Sequence, residues 1–476
     1  MTLLRPTSCA AAVLAALALL GAGCSVAPRY QVPEAGVPGA FKEMPAASEG
    51  WLPAAPADAL DRGPWWTLFG DETLNQLAAQ VEVSNQNVAA AVASYAQSRA
   101  LVAQARASFF PTLGLTGGAT RSGGEARGST GTTYQVALGA SWEAPLWGRL
   151  EAGVDTATAT AQASEADLAS ARLSAQAALA TNYFSLREAD AEIEVVTRTV
   201  ESFQRSLAIT QNRYDAGIAP KSDLLQAQTQ LANAQADLAS LRRQRAVLEH
   251  AIAVLVGKAP AQFSLASAAW RMTVPAVPVA VPSELLQRRP DIAAAERSVA
   301  SANAQVGIAR SAYFPSLSLS GSLGQQSSAA SQLFNASQSL WSLGVSVAQT
   351  IFDAGATKAK VEGAQAGRDA AVARYRQTTL AALQAVEDQL SLMRMLSEQE
   401  SLRAQASKAA DDTEVQTLNR YRAGQVSYLE VASAQSSALS ARRALVQLQV
   451  NRQLAAIGLI QAMGGGWRAG WAAPNS

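Results

Sequence analysis

The chain carries nearly the same message twice, about 200 residues apart, and this duplication constrains its fold more than any other feature. Residues 103–118 read AQARASFFPTLGLTGG, and residues 307–322 read GIARSAYFPSLSLSGS. Further along, Arg213-Tyr214-Asp215-Ala216-Gly217 returns as Arg420-Tyr421-Arg422-Ala423-Gly424. The stretch from Asp223 to Gln228 returns at Glu430 to Gln435. Landmarks recurring in the same order mean a duplicated unit, so the fold must be built from two similar halves.

Proline breaks helix interiors, and here it divides the chain cleanly. No proline lies between Pro64 and Pro111, and residues 71–107 carry helical periodicity. The gap from Pro145 to Pro220 leaves a helix-compatible run over 150–214. At ~1.5 Å rise per residue such a helix approaches about 100 Å. A return helix over 223–256 follows the Ala216-Gly217 turn and folds back antiparallel. Prolines at 260, 275, 278, 282 and 290 mark a crossing linker. The second half then predicts helices over 291–312, 356–421 and 427–463, with the turn at Gly424. The long helices far exceed the ordinary globular length and call for coiled-coil-like packing.

Between the helices the period changes to two. Leu113, Leu115 and Gly117 alternate with polar residues, as do Tyr134, Val136, Leu138, Ala140 and Trp142. Their counterparts are Leu317, Leu319, Gly321 and Leu323, then Leu343, Val345 and Val347. Such alternation predicts strands with one apolar face, each about 10 residues and long enough to cross a bilayer when tilted. The loops at 121–133 and 325–339 are rich in Gly, Ser, Thr and Gln and read as solvated. Four strands cannot close a barrel around a lumen, and a bilayer tolerates no open sheet edge, so several chains must share one barrel.

Composition narrows the function. Charged residues are 16% of the chain and the net charge is +1, which leaves no electrostatic footprint for nucleic acid. Two cysteines and one histidine, His250, exclude a disulfide framework in practice and argue against a metal site or cofactor-based or His-based catalysis. The alanine-rich hydrophobic fraction suits long helices in close contact. This inventory offers no His- or zinc-based catalytic set.

At the N-terminus, Arg5 precedes an apolar run over 10–20, too short to span a bilayer and typical of a secretory signal. Gly21-Ala22-Gly23-Cys24 resembles a bacterial lipobox, with Gly21 where Leu is common. That resemblance makes Cys24 the lipidated first residue of the mature chain, and Ser25 after it favours the outer membrane. The chain thus divides into a signal peptide (1–23), a lipidated extended and poorly packed segment (24–64), a first repeat (65–258, hairpin about 111–146), a linker (259–283), a second repeat (284–464, hairpin about 315–352) and a tail (465–476).

Several ordered motifs resemble the TolC-type outer membrane factors, in particular the lipoprotein branch serving resistance-nodulation-division (RND) efflux pumps. They are Cys24-Ser25-Val26-Ala27-Pro28-Arg29-Tyr30 with Pro33, and Trp65-Trp66-Thr67-Leu68-Phe69-Gly70-Asp71. Phe110-Pro111, Phe314-Pro315, Leu146-Trp147-Gly148-Arg149, Arg288-Arg289-Pro290-Asp291-Ile292 and Gly464-Gly465-Gly466-Trp467 complete the set. The resemblance implies a mainly α fold with a transmembrane β-barrel. It implies a homotrimer whose long antiparallel helical hairpins form an α-barrel tunnel and whose chains share a 12-stranded barrel. Such a protein is a passive exit duct in the outer membrane, with a periplasmic adaptor and a proton-driven inner-membrane transporter as partners.

The two hairpin tips are the candidate gate. Gly217 and Gly424 supply turns. By resemblance, acidic residues just after the second tip line the periplasmic aperture. Glu430 matches such a position, and Ser433 stands where relatives often carry Asp. Three copies of Glu430 about an axis form a carboxylate ring that favours cations; alone, Glu430 is a solvated helix charge. Asp223, its repeat counterpart, is either pore-facing or an N-terminal helix stabiliser. Arg213, Tyr214, Arg420 and Tyr421 are candidates for adaptor docking, or for packing on neighbouring helices. Trp142 and Trp341 suit an interfacial aromatic belt. Trp65 and Trp66 are expected to pack in a collar, His250 to be structural, and Arg242-Arg243-Gln244-Arg245 to form a solvated face. A type I protein-secretion duct of the same fold and a lipid-tethered structural coiled coil are the competing readings. Cys24 favours efflux over secretion, and only the coiled coil predicts no conductance.

Overall fold

The first repeat runs α1 (Glu72–Ser84), α2 (Gln86–Ala107), β1 (Thr112–Ser122), β2 (Gly131–Glu143), α3 (Arg149–Asp215) and α4 (Lys221–Leu255). The second runs α5 (Pro290–Ser311), β3 (Ser316–Ser327), β4 (Ser339–Ala348), α6 (Ala356–Arg422) and α7 (Tyr428–Ala462). The computed structural model describes residues 26–44, 64–123, 130–270, 272–275, 277 and 282–466. Cys24 and the lipobox lie outside the described residues. The duplication holds to the residue in length. α2 and α5 each have 22 residues, α3 and α6 each have 67, and α4 and α7 each have 35. No described helix is long and apolar enough to cross a membrane.

The helix expected over 71–107 is broken at Asn85. This residue closes α1 through its backbone N–H and opens α2, its Oδ1 accepting from Asn87 N at 3.0 Å and Val88 N at 3.1 Å. Its Nδ2 donates to Leu255 O at 2.9 Å, so one side chain caps a helix and holds the end of α4. Three strand ends also move. β1 and β2 run through Ser122 and from Gly131, and β3 runs to Ser327, so both hairpin loops are shorter than expected. Ladder pairs between Thr120 and Thr133 and between Arg121 and Thr132 absorb residues whose polarity reads as loop.

The chain forms two compact units: one from the described parts of 1–35, 94–165 and 294–377, the other from 36–93, 166–293 and 378–476. The first holds an antiparallel sheet in the order β1-β2-β3-β4. Each helix entering it ends in tight turns, at Phe109-Phe110 and at Tyr313-Phe314, before a proline starts the strand. Trp142 Nε1 donates to Phe109 O at 2.9 Å across this junction.

The described part of the extended segment, residues 26–44, makes specific contacts rather than lying loose. In the first unit, Pro28 O accepts from Asn303 Nδ2 at 2.9 Å, and the Tyr30 hydroxyl donates to the Glu296 carboxylate while Arg297 lies over the Tyr30 ring. Burial and then that carboxylate push the Tyr30 phenol well above its ordinary range. Ala27 packs so closely on α5 that a Cβ on Gly307 would stand 2.6 Å from its own. The repeat breaks at this position: the equivalent residue of α2 is Ala103, which is exposed. In the second unit, Phe41 is buried, and Glu387 accepts from the N–H groups of Lys42 at 2.7 Å and Glu43 at 2.9 Å.

The second unit is organised around buried polar clamps. Asp71 caps α1 through Leu74 N and accepts from the Tyr183 hydroxyl at 2.6 Å, and burial followed by this bond pushes the phenol up to about 12. Trp65 and Trp66 are buried beside Phe69, with Trp65 Nε1 donating to Gln176. Asp190 is held by both Arg187 at 2.9 Å and Arg245 at 2.6 Å. Arg187 and Arg245 also donate to the carbonyls of Ala266 and Leu265, fixing the linker to α3 and α4. Arg245 therefore departs from the solvated face expected of its arginine run; Arg242 and Arg243 are exposed as expected. His250 is exposed on α4.

Candidate functional site

Register decides what the sheet can do. Leu115 pairs with Leu138, Leu138 with Leu323, and Leu323 with Trp341, so one face collects the large apolar side chains, Leu340 excepted. Leu113, Leu115, Leu343 and Trp341 on this face are 71–78% exposed. The opposite face carries Thr, Ser, Gly, Ala and Gln, with Glu143 at its helix end and Leu340 at its loop end, and hydroxyl pairs cross the strands at Thr112–Ser141 and Ser322–Ser342, both 2.8 Å. Water penalises an exposed apolar face of this size, whereas hydrocarbon accepts it; the hydroxyl face suits water. Trp142 sits toward the helix end of the apolar face, opposite Leu319, and Trp341 four residue pairs nearer the loops. β1 and β4 are sheet edges, with one side of each backbone unpaired within the sheet. In hydrocarbon those edges need strands from another chain.

The second candidate element is the pair of hairpin tips, all within one unit. Both turns use the same helix stop. Gly217 N–H donates to Tyr214 O and Ile218 N–H to Arg213 O, both at 2.8 Å, and Gly424 and Gln425 repeat this to Tyr421 and Arg420 at 2.9 Å. Gly217 and Gly424 have φ of 71° and 76°, which only glycine adopts without strain.

Identical turns then pack differently. Tyr421 is buried against Tyr428, ring centroids 5.7 Å apart and edge to face, and its hydroxyl meets Thr210 Oγ1 at 3.1 Å. Its counterpart Tyr214 is exposed. Arg213 lies over the Tyr421 ring at 4.8 Å and donates to Tyr421 O at 2.9 Å, tying α3 to α6, while Arg420 is exposed. Of the four residues expected at the docking surface, Tyr421 and Arg213 are thus engaged inside the tip. Tyr214 and Arg420 are left on its surface, and Ile218 is exposed as well.

The acids also differ. Glu430 and Ser433 are exposed one turn apart on α7, on one helix face. Asp223 is half-buried in the first turn of α4, and its charge is felt at Tyr428. Burial first, then Tyr421 and Asp223, push the Tyr428 phenol up to about 12. Sequence reasoning missed Gln435, fully buried with Nε2 donating to Ser206 Oγ at 3.1 Å, and Thr210. A Gln amid alanines on a buried helix stripe is the signal that was available. No cluster of three or more metal-ligating side chains occurs among the described residues.

Comparison with known proteins matches this architecture. The outer membrane efflux protein model matches residues 77–258 and 281–465. The chain is 32% identical over 464 residues to the probable efflux pump outer membrane protein TtgC of Pseudomonas putida, covering 95% of each. It is 30% identical over 468 residues to the cation efflux system protein CusC of Escherichia coli, covering 95% of this chain and 98% of that one. Among solved structures, the outer-membrane channel OprN superposes with a TM-score of 0.83 at 31% identity, over 93% of this chain and all of OprN. The open-state outer membrane channel MtrE of Neisseria gonorrhoeae superposes with a TM-score of 0.83 at 27% identity, over 94% of this chain. With both repeats matched and relatives similar along nearly its whole length, this chain belongs to the outer membrane efflux protein family.

Proposed function

We propose that the chain is the outer membrane exit duct of a tripartite RND-type efflux pump, passively conducting small toxic compounds to the exterior. One observation carries the reading: the register gathers all the bulky apolar side chains but Leu340 on one sheet face and most of the hydroxyls on the other, between two unpaired edges. Three copies would join edge to edge into a 12-stranded barrel, apolar face to lipid and hydroxyl face to a water-filled lumen. The relatives' names support efflux, and their differing cargoes, solvents for SrpC and cations for CusC, suit a duct that reads little of its load.

In this reading Cys24 carries the lipid anchor, and each repeat supplies one hairpin to the periplasmic end. The Arg213–Tyr421 contact acts as a latch on the tip, and Glu430 with Ser433 faces the aperture. Exposed Tyr214, Arg420 and Ile218 meet the periplasmic adaptor, which links the duct to an inner-membrane transporter. No catalytic step is required of the chain. Planar-bilayer recording of the purified protein tests this: discrete ionic conductance is expected, with cation preference reduced by Glu430→Ala. A preparation that inserts but never conducts would refute the duct.

A further inference from the structure

Where β2 gives way to α3, a cavity of about 450 Å3 opens, within the size range of small-molecule sites. Three strand residues border it, Glu143, Ser316 and Ala348, and the register puts all three on the hydroxyl face. Elsewhere the described strand residues of that face carry no charge and no ring; Glu143 is its one ionisable side chain. The cavity is different in kind. Trp147 and Phe314 line it as a stacked pair, centroids 4.9 Å apart and planes 25° apart. The indole is pinned by its Nε1–H donating to Pro315 O at 2.6 Å. Arg149, also lining it, is neutralised by Glu143, with Nε to Oε1 at 2.8 Å and Nη2 to Oε2 at 2.5 Å. Lys360 lines the same cavity, is exposed, and makes no ion pair among the described residues. The balance is one aromatic surface and one uncompensated positive charge.

We propose that this cavity is a transit site for small aromatic anions, the ring resting on Trp147 and the carboxylate or sulfonate meeting Lys360. The inference rests on the duct reading, in which the hydroxyl face lines the lumen. An aromatic ring gains from stacking on a fixed indole, and a charge-assisted contact selects the anion over a cation of the same shape. The duct would then retain one class of cargo at the point where strands succeed helices, although its other sheet-lined surface is neutral.

The test is calorimetric titration of 1-naphthoate into the purified full-length protein in a non-ionic detergent, with 1-naphthylmethylammonium as the cationic control. Bilayer conductance is recorded on the same preparation. Saturable binding of naphthoate, weaker binding of the ammonium, and about a tenfold loss of naphthoate affinity in Lys360→Gln are expected, one charge-assisted contact being removed. No heat beyond the micelle blank, equal affinity for both probes, or an affinity unmoved by Lys360→Gln would overturn the site. Such a result with normal conductance removes the cavity and leaves the duct standing; binding without conductance does the reverse.

Discussion

Replacing Arg213 by Ala removes the one side chain that both stacks on Tyr421 and bonds to its backbone. The guanidinium lies 4.8 Å from the ring centroid and 2.9 Å from the carbonyl oxygen. A hydrogen bond from a charged donor contributes roughly 1.5–3 kcal/mol and a partly desolvated cation–π contact roughly 0.5–2. Arg213 Nε finds no acceptor although buried, which offsets part of this. A net loss of about 2–4 kcal/mol follows, felt where α3 meets α6. If the contact exists only in the closed tip, the open fraction of a mostly closed duct rises about 30- to 700-fold. Single-channel recording of wild type, Arg213→Ala and Arg213→Lys reads this directly. Lys keeps the charge but not the planar fork, so it should fall between the other two. An Arg213→Ala channel that unfolds at lower temperature yet opens no more often than wild type would refute the latch and leave Arg213 a packing residue.

Three other perturbations have definite outcomes. Glu188 is half-buried on α3, and burial followed by the Glu192 charge raises its carboxyl from 4.5 to about 7. A carboxyl raised on folding contributes stability below its unfolded value and loses it as pH climbs through about 7. The full shift equals about 3.4 kcal/mol and solvent screening reduces it to roughly 1–2, so Glu188→Gln should gain that much in denaturant melts at pH 8 and nothing at pH 4. Tyr428→Phe removes a buried hydroxyl that has no partner among the described residues, so melting should be unchanged or up to about 1 kcal/mol more stable. Loss of more than about 2 kcal/mol would mean the hydroxyl is bonded in the assembled protein. Glu387→Gln weakens the acceptor of the Lys42 and Glu43 N–H groups, and limited proteolysis should then cut the N-terminal segment near Phe41 several-fold faster.

Local signals were legible where physics is local. Proline spacing and the duplication mark the long helices, because a missing N–H and a ring clash end a helix whatever surrounds it. Period-two runs mark the strands and, through pairing, the two faces of the sheet. What escaped was tertiary. Arg245 reads as one of three solvated arginines until Asp190 and the Leu265 carbonyl arrive from distant sequence. The segment over 24–64 reads as poorly packed, yet Phe41 within it is buried. The tips carry the widest lesson: near-identical Arg-Tyr motifs form the same turn, yet Tyr421 is buried and Tyr214 is not, because their neighbours differ. Repetition in sequence sets the hairpins, and its breakdown in packing distinguishes the buried Tyr421 side from the exposed Tyr214 side.

The central claim is that the hydroxyl face of the sheet lines a pore closed by three chains. Electron cryomicroscopy of the purified protein in a lipid nanodisc tests it most directly. The account predicts threefold particles with a 12-stranded barrel, Leu113, Leu115, Trp341 and Leu343 turned to lipid and the Ser/Thr face around a central channel. Monomers, or a barrel with that apolar face turned inward, would contradict it.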